Sequence, residues 1–279
     1  KNFKYESLTN FYRRWYNPDM QAVIVVGDVD VNQIEEKIKT IFSDVPAPAV
    51  PTEKPLYPVA ENAEPVIGVL TDPEATSSQI EVLWRRQPMV PVAFNNTDMA
   101  YQLDVIKGFI SAVMNERFDD ITAKPDAPFL SAGFGVSKLC NTCEATAGNV
   151  SFKDEDALDA FKAYLVEIER LKRYGFTESE VIRAKENMLK RYEKAVEGAA
   201  SRKNAEFVYP LLYNFYDNEP YMEPEMELQL AQMVCSQLNA ALLSQVAAQL
   251  LTDENMVILY NGPEKAGLTN PTEEEIKTV

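Results

Sequence analysis

Cys140-Asn141-Thr142-Cys143 has the C-x-x-C spacing of dithiol redox centres and of half a zinc site. The run from Phe129 to Phe152 that contains it reads as two strands. Side chains three positions apart on a regular strand point to opposite faces, and no second C-x-x-C or histidine is present to complete a zinc tetrad. Structural cysteines are therefore expected at 140 and 143. The chain contains no histidine, which removes Ser-His-Asp and Cys-His catalysis and any imidazole ligand. Paired acids can do acid–base work where their environments split their pKa values, and Asp119-Asp120, Asp154-Glu155-Asp156 and Glu273-Glu274-Glu275 qualify by type. The first falls at a helix end, the second precedes a helix N-terminus and the third opens a terminal segment, positions that suit capping or solvation. Ten glycines never take a G-x-G-x-x-G or P-loop spacing. Gly133-Phe134-Gly135 reads instead as a strand that lets another backbone approach. The aromatic group Phe207, Tyr209, Tyr213, Phe215, Tyr216 and Tyr221 could line a peptide-binding wall, but its spacing favours helix packing. No position is assigned a catalytic, cofactor-binding or metal-ligating role.

The elements that would position such residues must come from a chain of 279 residues, 46% hydrophobic, long enough for one large core or two smaller ones. Forty-three acidic against 27 basic residues give a formal net charge of -16. That balance repels phosphate backbones and anionic lipid, so neither nucleic acid nor a membrane is an expected partner. Apolar runs such as Ala22 to Val26 are far too short to cross a bilayer. Three cysteines, unevenly spaced, make no disulfide framework. The chain opens at Lys1 without a methionine or an apolar leader and ends on a charged helix-like start at Thr272 to Ile276, and it reads as a piece of a longer protein.

Along the chain, the pattern predicts a helix near Leu8 to Tyr16, a turn at Asn17-Pro18-Asp19, a strand over Ala22 to Val26 and a helix from Val31 to Phe42 with Asp30 as its N-cap. A proline-dense stretch, 46–65, then reads as a linker. Val66 to Leu70 and Ser78 to Trp84 follow as two neighbouring strands, then a long helix from about Asn96 to Ile121, the Phe129 to Phe152 strands, and a helix from about Asp156 to Tyr174 stopped by Gly175. Thr177-Glu178-Ser179-Glu180 is a capping box for the next helix, and at least one more helix lies between Ala199 and Phe215. A helix over Leu238 to Leu251, a turn through Asn255-Met256 and a strand Val257 to Gly262 echo the helix, turn, strand order of residues 8–27, as a duplicated domain would. The expected class is α+β, a largely antiparallel sheet with helices on one face.

The opening residues carry a family resemblance. Phe11-Tyr12, Trp15-Tyr16, Pro18, Met20 and Val25-Val26-Gly27-Asp28 resemble the Phe-Tyr, Tyr-x-Pro-x-Asn-Met, Val-Val-Gly-Asp pattern of the M16 metallopeptidases, the pitrilysin and insulinase group, with Asp19 where the pattern usually has Asn. Gly108 to Thr122 ahead of Pro128-Phe129 is similar to that family's long helix and following strand, and Gly175-Phe176-Thr177-Glu178-Ser179-Glu180 to its Gly-hydrophobic-Thr-x-x-Glu helix entry. The resemblance runs from about Leu8 to Gly262.

It implies zinc held upstream by an H-x-x-E-H motif, whose glutamate is the general base for a zinc-bound water. None of that can be placed on any residue here. The implied organisation is the end of a catalytic-type domain (1–45), the linker (46–65), a second, non-catalytic domain (66–265) and the start of a connection to a missing half (266–279). The implied role is the chamber wall of a zinc-dependent endopeptidase, inactive alone, with a peptide or unfolded protein as substrate and the remaining M16 domains as partners. Substrates of the family add a strand to a sheet edge, here one within Val66 to Trp84 or Phe129 to Phe152. No cofactor is expected in this chain, zinc is expected in its parent, and an extracytoplasmic location fits a bacterial parent. Two alternatives are part of a catalytically inactive homologue with a regulatory or structural role, and an unrelated peptide-binding module that shares only the fold.

Overall fold

Ile80, Val82 and Trp84 alternate with Gln79, Glu81 and Leu83, and the strand they build is the centre of a five-stranded sheet. The computed structural model describes residues 3–279, which divide into two compact units. The larger comprises Pro58–Ala199 and Met222–Val279, and the smaller comprises the residues up to Tyr57 together with Ala200–Tyr221.

In the larger unit the strands are β1 (Val66–Asp72), β2 (Ser78–Arg86), β3 (Ser131–Cys140), β4 (Cys143–Phe152) and β5 (Met256–Pro263), in the order β1-β5-β2-β4-β3. Only the β1–β5 pair is parallel. The sequence places β1 and β2 side by side, but β5 lies between them, with Gly68 and Glu81 both opposite Leu259. A turn of five residues would suit a hairpin. The hydrogen bonds of β2 are instead taken by β5, which arrives about 170 residues later in the chain.

One face of the sheet is covered by helices. Ile80, Val82, Trp84, Val150, Phe152, Ile258 and Tyr260 point into a core shared with α3 (Asp98–Thr122), α4 (Ala157–Tyr174), α5 (Glu178–Gly198), α7 (Pro224–Gln237) and α8 (Ala240–Leu250). Caps fix where these helices begin. Thr97 accepts from the Ala100 N–H, Asn239 accepts from the Leu242 N–H, and Thr177 and Glu180 form the expected capping box. Gly175 closes α4 at φ 67°, a conformation open to glycine. Tyr164 stacks on Phe118 with centroids 4.9 Å apart and donates to the Gly133 carbonyl at 3.2 Å. A Cβ on Gly148 would lie 1.9 Å from the Tyr164 hydroxyl oxygen, so only glycine fits beneath that ring. The terminal helix α9 (Glu273–Thr278), with Thr272 and Glu275 as its capping box, sinks Ile276 into the same core.

The smaller unit contains α1 (Tyr5–Trp15), α2 (Val31–Ile41) and α6 (Asn204–Asp217). Asp30 caps α2 by accepting from the Gln33 N–H at 3.0 Å. The turn at 17–19 is held by Thr52, whose N–H and hydroxyl donate to Asp19 while Asn17 donates to the Thr52 hydroxyl oxygen. The strand expected over Ala22 to Val26 does not form. Those residues have no regular secondary structure and no cross-strand partner among the described residues, and a strand exists only through the partner that takes its backbone hydrogen bonds.

Candidate functional site

The sheet has two edges and one helix-free face, and these are the surfaces a ligand backbone could reach. Of the strands considered for peptide pairing, β2 and β4 are interior and β1 and β3 are the edges. Asn115 of α3 closes part of the β3 edge, since its side-chain amide donates to the Phe134 carbonyl at 2.9 Å and accepts from the Phe134 N–H at 2.8 Å. The β1 backbone from Val66 to Leu70 receives no side-chain hydrogen bond among the described residues, and Val66 and Leu70 are exposed. An unpaired edge of this kind is a template for one more strand.

On the helix-free face, the register aligns a row across all five strands: Gly68, Leu259, Glu81, Asn149 and Gly133. The rows beside it are Val66, Val257, Leu83, Ala147 and Gly135, and Leu70, Asn261, Gln79, Ser151 and Ser131. The face thus passes from apolar at one end to polar at the other, with a single carboxylate at its centre.

The C-x-x-C residues are arranged differently from the expectation of opposite faces. Asn141-Thr142 is the turn of the β3–β4 hairpin, and Cys140 and Cys143 are cross-strand partners. A bulge between Lys138 and Cys140 sets two residues against one, which turns Cys140 to the side of Cys143. Both thiols are free, Cys140 exposed and Cys143 buried. Hydrogen bonds from the Thr142 side chain and backbone lower the Cys140 pKa, and burial raises that of Cys143.

The carboxylate pairs are kept apart from one another in function. Asp119 and Asp120 are exposed near the end of α3, and Glu275 caps α9. Asp154 does more than solvate a helix start, because it accepts from Ser78 at 2.7 Å and from Lys265 at 2.7 Å, which lowers its pKa. Two ion clusters, one around the buried Glu144 and one part-buried, escaped the sequence, since their partners are far apart in the chain. Glu144 accepts from Arg86 Nε and Lys107 Nζ, both at 2.8 Å, and Arg117 forks onto Glu180 at 2.6 and 2.9 Å. The first ties α3 to the sheet and the second ties α3 to α5.

The aromatic group of α6 does not pack as a core. None of the α6 residues is buried, and Tyr209, Tyr213 and Tyr216, at helical spacing, are 66%, 48% and 58% exposed. On α1, Leu8, Phe11 and Tyr12 are likewise exposed. These residues show the helical spacing that the sequence suggested without the burial.

The donor set does not fit a catalytic zinc. Among the described residues no three of His, Cys, Asp and Glu converge, and the nearest approach to a site is the two-sulfur pair Cys140 and Cys143. No helix among the described residues is long and apolar enough to cross a membrane.

Comparison with known proteins accounts for this architecture. The family model described as the peptidase M16 inactive domain matches residues 2–188, and the chain belongs to that family. The protein named "Probable zinc protease PqqL" of Escherichia coli K12 is 25% identical over 249 residues, which are 89% of this chain and 26% of that protein. The crystal structure of the periplasmic protease PqqL from Escherichia coli superposes with a TM-score of 0.81 at 22% identity, over 93% of this chain and 28% of that one. The ferredoxin protease FusC in complex with Arabidopsis ferredoxin gives 0.72 at 20%, over 99% and 30%. The chain therefore spans about a quarter of the length of the relatives it matches. The α+β class, a mostly antiparallel five-stranded sheet with helices on one face, and the resemblance to M16 peptidases both stand.

Proposed function

We propose that this chain is the non-catalytic, peptide-holding part of a zinc endopeptidase whose metal site and general base lie outside it. The observation that carries the reading is the match to the M16 inactive-domain model in a chain without histidine. The zinc belongs to the parent protein, in keeping with relatives named zinc proteases. In this reading residues 1–45 end a catalytic-type domain, 46–65 link it to a second domain over 66–265, and 266–279 begin a connection onward. The uncovered apolar residues of α1 and the partnerless segment at 22–26 support it, because both are what the end of a larger domain leaves when its neighbours are missing. The substrate is a peptide or an unfolded protein, and the other partners are the remaining M16 domains. The compartment is extracytoplasmic, a reading supported by the periplasmic PqqL.

Within the wall, β1 is the strand to which a peptide backbone pairs. Val69→Pro and Leu70→Lys in the complete protein should each weaken peptide affinity, and unchanged affinity in both rules out this edge. The parent sequence ahead of this chain should contain H-x-x-E-H, and a degenerate motif there would turn the reading towards an inactive homologue.

A further inference from the structure

Glu81 sits in the middle of the central strand, on the helix-free face, half-buried between Leu259 of β5 and Asn149 of β4. Among the described residues its side chain makes no hydrogen bond and no ion pair. The other partly or fully buried carboxylates discussed above are matched: Glu144 with Arg86 and Lys107, Glu180 with Arg117 and Asp154 with Lys265. A half-buried carboxylate on a sheet face with no cation of its own is open to one brought by a ligand.

Around it is a recess of about 530 Å³, lined by Gln79, Glu81, Asn115, Gly133, Gly135 and Asn149 among others. Its floor is open because the sequence puts glycine where side chains would stand. A Cβ on Gly133 would lie 2.4 Å from the Asn149 amide oxygen, and one on Gly135 would meet nothing within 4 Å. Among the described residues Glu81 is the only charged one lining the recess, and the rest of its polar lining is side-chain amide and backbone. The apolar residues Leu83 and Leu259 neighbour Glu81 on the same face of the sheet. An acid in the recess with apolar neighbours on the same face suits a long aliphatic stem with a positive tip.

We propose that this recess is a subsite for a lysine or arginine side chain of the bound peptide, with Glu81 as the counter-charge. The inference rests on the peptide-wall reading above and adds to it a preference for basic substrates. In binding, the cationic head replaces water at the carboxylate, Gln79 and Asn149 offer amide oxygens to its remaining N–H groups, and the stem covers Leu83 or Leu259. Glu81 contributes here as a specificity-determining residue and takes no part in bond cleavage.

The test uses the isotope-labelled chain and a probe too small to need any sheet edge, Nα-acetyl-lysine N-methylamide, with the norleucine analogue as its uncharged control. The lysine probe should cause saturable amide shifts centred on Gly133, Gly135 and Asn149, and the norleucine probe should not. Glu81→Gln removes no bond in the free protein and should weaken the lysine probe about tenfold. Gly135→Val, which fills the recess without touching the charge, should weaken it as well. Shifts that are absent, scattered, equal for norleucine or unaffected by E81Q overturn the subsite. A complementary measurement in the complete protein replaces lysine by norleucine in a bound peptide. An equal affinity for the two peptides overturns the subsite while leaving the β1 edge untouched. Conversely, edge variants that leave peptide affinity unchanged overturn the edge, and the probe titration still decides Glu81.

Discussion

Asn115 meets Phe134 with both halves of its side-chain amide, accepting from the backbone N–H at 2.8 Å and donating to the carbonyl at 2.9 Å. One residue of α3 thereby replaces a neighbouring strand at the middle of the β3 edge. The consequence is an asymmetric sheet, with one edge closed at its centre and the other, β1, without such a clamp.

Asn115→Ala should leave the N–H and C=O of Phe134 without partners in a half-buried setting, a loss of about 1–3 kcal/mol. A urea titration should show a lower midpoint at constant slope, and hydrogen exchange should show the Phe134 amide losing protection ahead of Gly133 and Gly135. Asn115→Asp keeps the acceptor and loses the donor, and should fall between the two. If the Phe134 amide exchanges at the same rate in all three proteins, the side chain is not what closes this edge.

What the sequence reveals and what it hides divide along physical lines. Strands β2 and β5 and helices α3 to α5 were readable because alternation, helical period and caps are local signals, and the capping box at Thr177 needs only residues up to Glu180. Pairing is not local. The intrusion of β5 between β1 and β2 depends on a parallel partner about 190 residues away, and the cross-strand meeting of Cys140 and Cys143 depends on Asn141-Thr142 being a turn between strands. Ala22 to Val26 has strand composition but no partner, and the α6 tyrosines have helical spacing but no cover. Glu81 was invisible for the opposite reason. An acid at a solvent-side position of an alternating strand looks ordinary until the register shows that no cation lies opposite it.

Glu180 should make the larger unit sensitive to acid. Burial works to raise its carboxyl pKa, but the two-point fork of Arg117 and the Thr177 N–H and hydroxyl outweigh burial and bring it down to about 2. The folded value lies below the unfolded value of about 4.3. The carboxylate therefore contributes its full stabilisation above that unfolded pKa and loses it as pH falls from about 4.5 towards 2. Because the carboxylate is only partly buried and solvent screens the pair, the contribution is on the order of 1 kcal/mol. Glu180→Gln should lower stability at neutral pH and flatten the fall in this window, as measured by urea unfolding at a series of pH values. A variant that keeps the wild-type slope between pH 4.5 and 2 would assign the acid response to other groups.

Glu144 should matter more than any exposed acid. It is buried between Arg86 and Lys107, and Arg86 also donates to Thr146 Oγ1 and the Leu250 carbonyl, which pins α8 to the sheet. One nitrogen of Arg86, Nη2, is buried without a hydrogen-bond partner among the described residues, so the guanidinium depends on its remaining contacts, Glu144 first among them. Glu144→Gln would leave Arg86 without a counter-charge and Lys107 with only the exposed Asp104, at a cost of about 3 kcal/mol. The control is Glu35→Gln on α2, where the Lys39 pair is exposed and no measurable change is expected. Equal effects from the two substitutions would mean that water reaches Glu144.

The hairpin thiols should not hold zinc. Cys140 and Cys143 face each other across the Asn141-Thr142 turn, but a structural zinc takes four ligands, and no third donor converges on the pair among the described residues. Cys143 is also buried, and burial raises its pKa, which disfavours the thiolate that a metal requires. The isolated chain, loaded with excess zinc at neutral pH and then desalted, should retain far less than one equivalent by metal analysis. Its thermal midpoint should be the same with and without a chelator, because no metal contributes to folding. Cys140→Ser should leave both results unchanged. One tightly retained equivalent that disappears in this variant would convert the hairpin tip into a metal site.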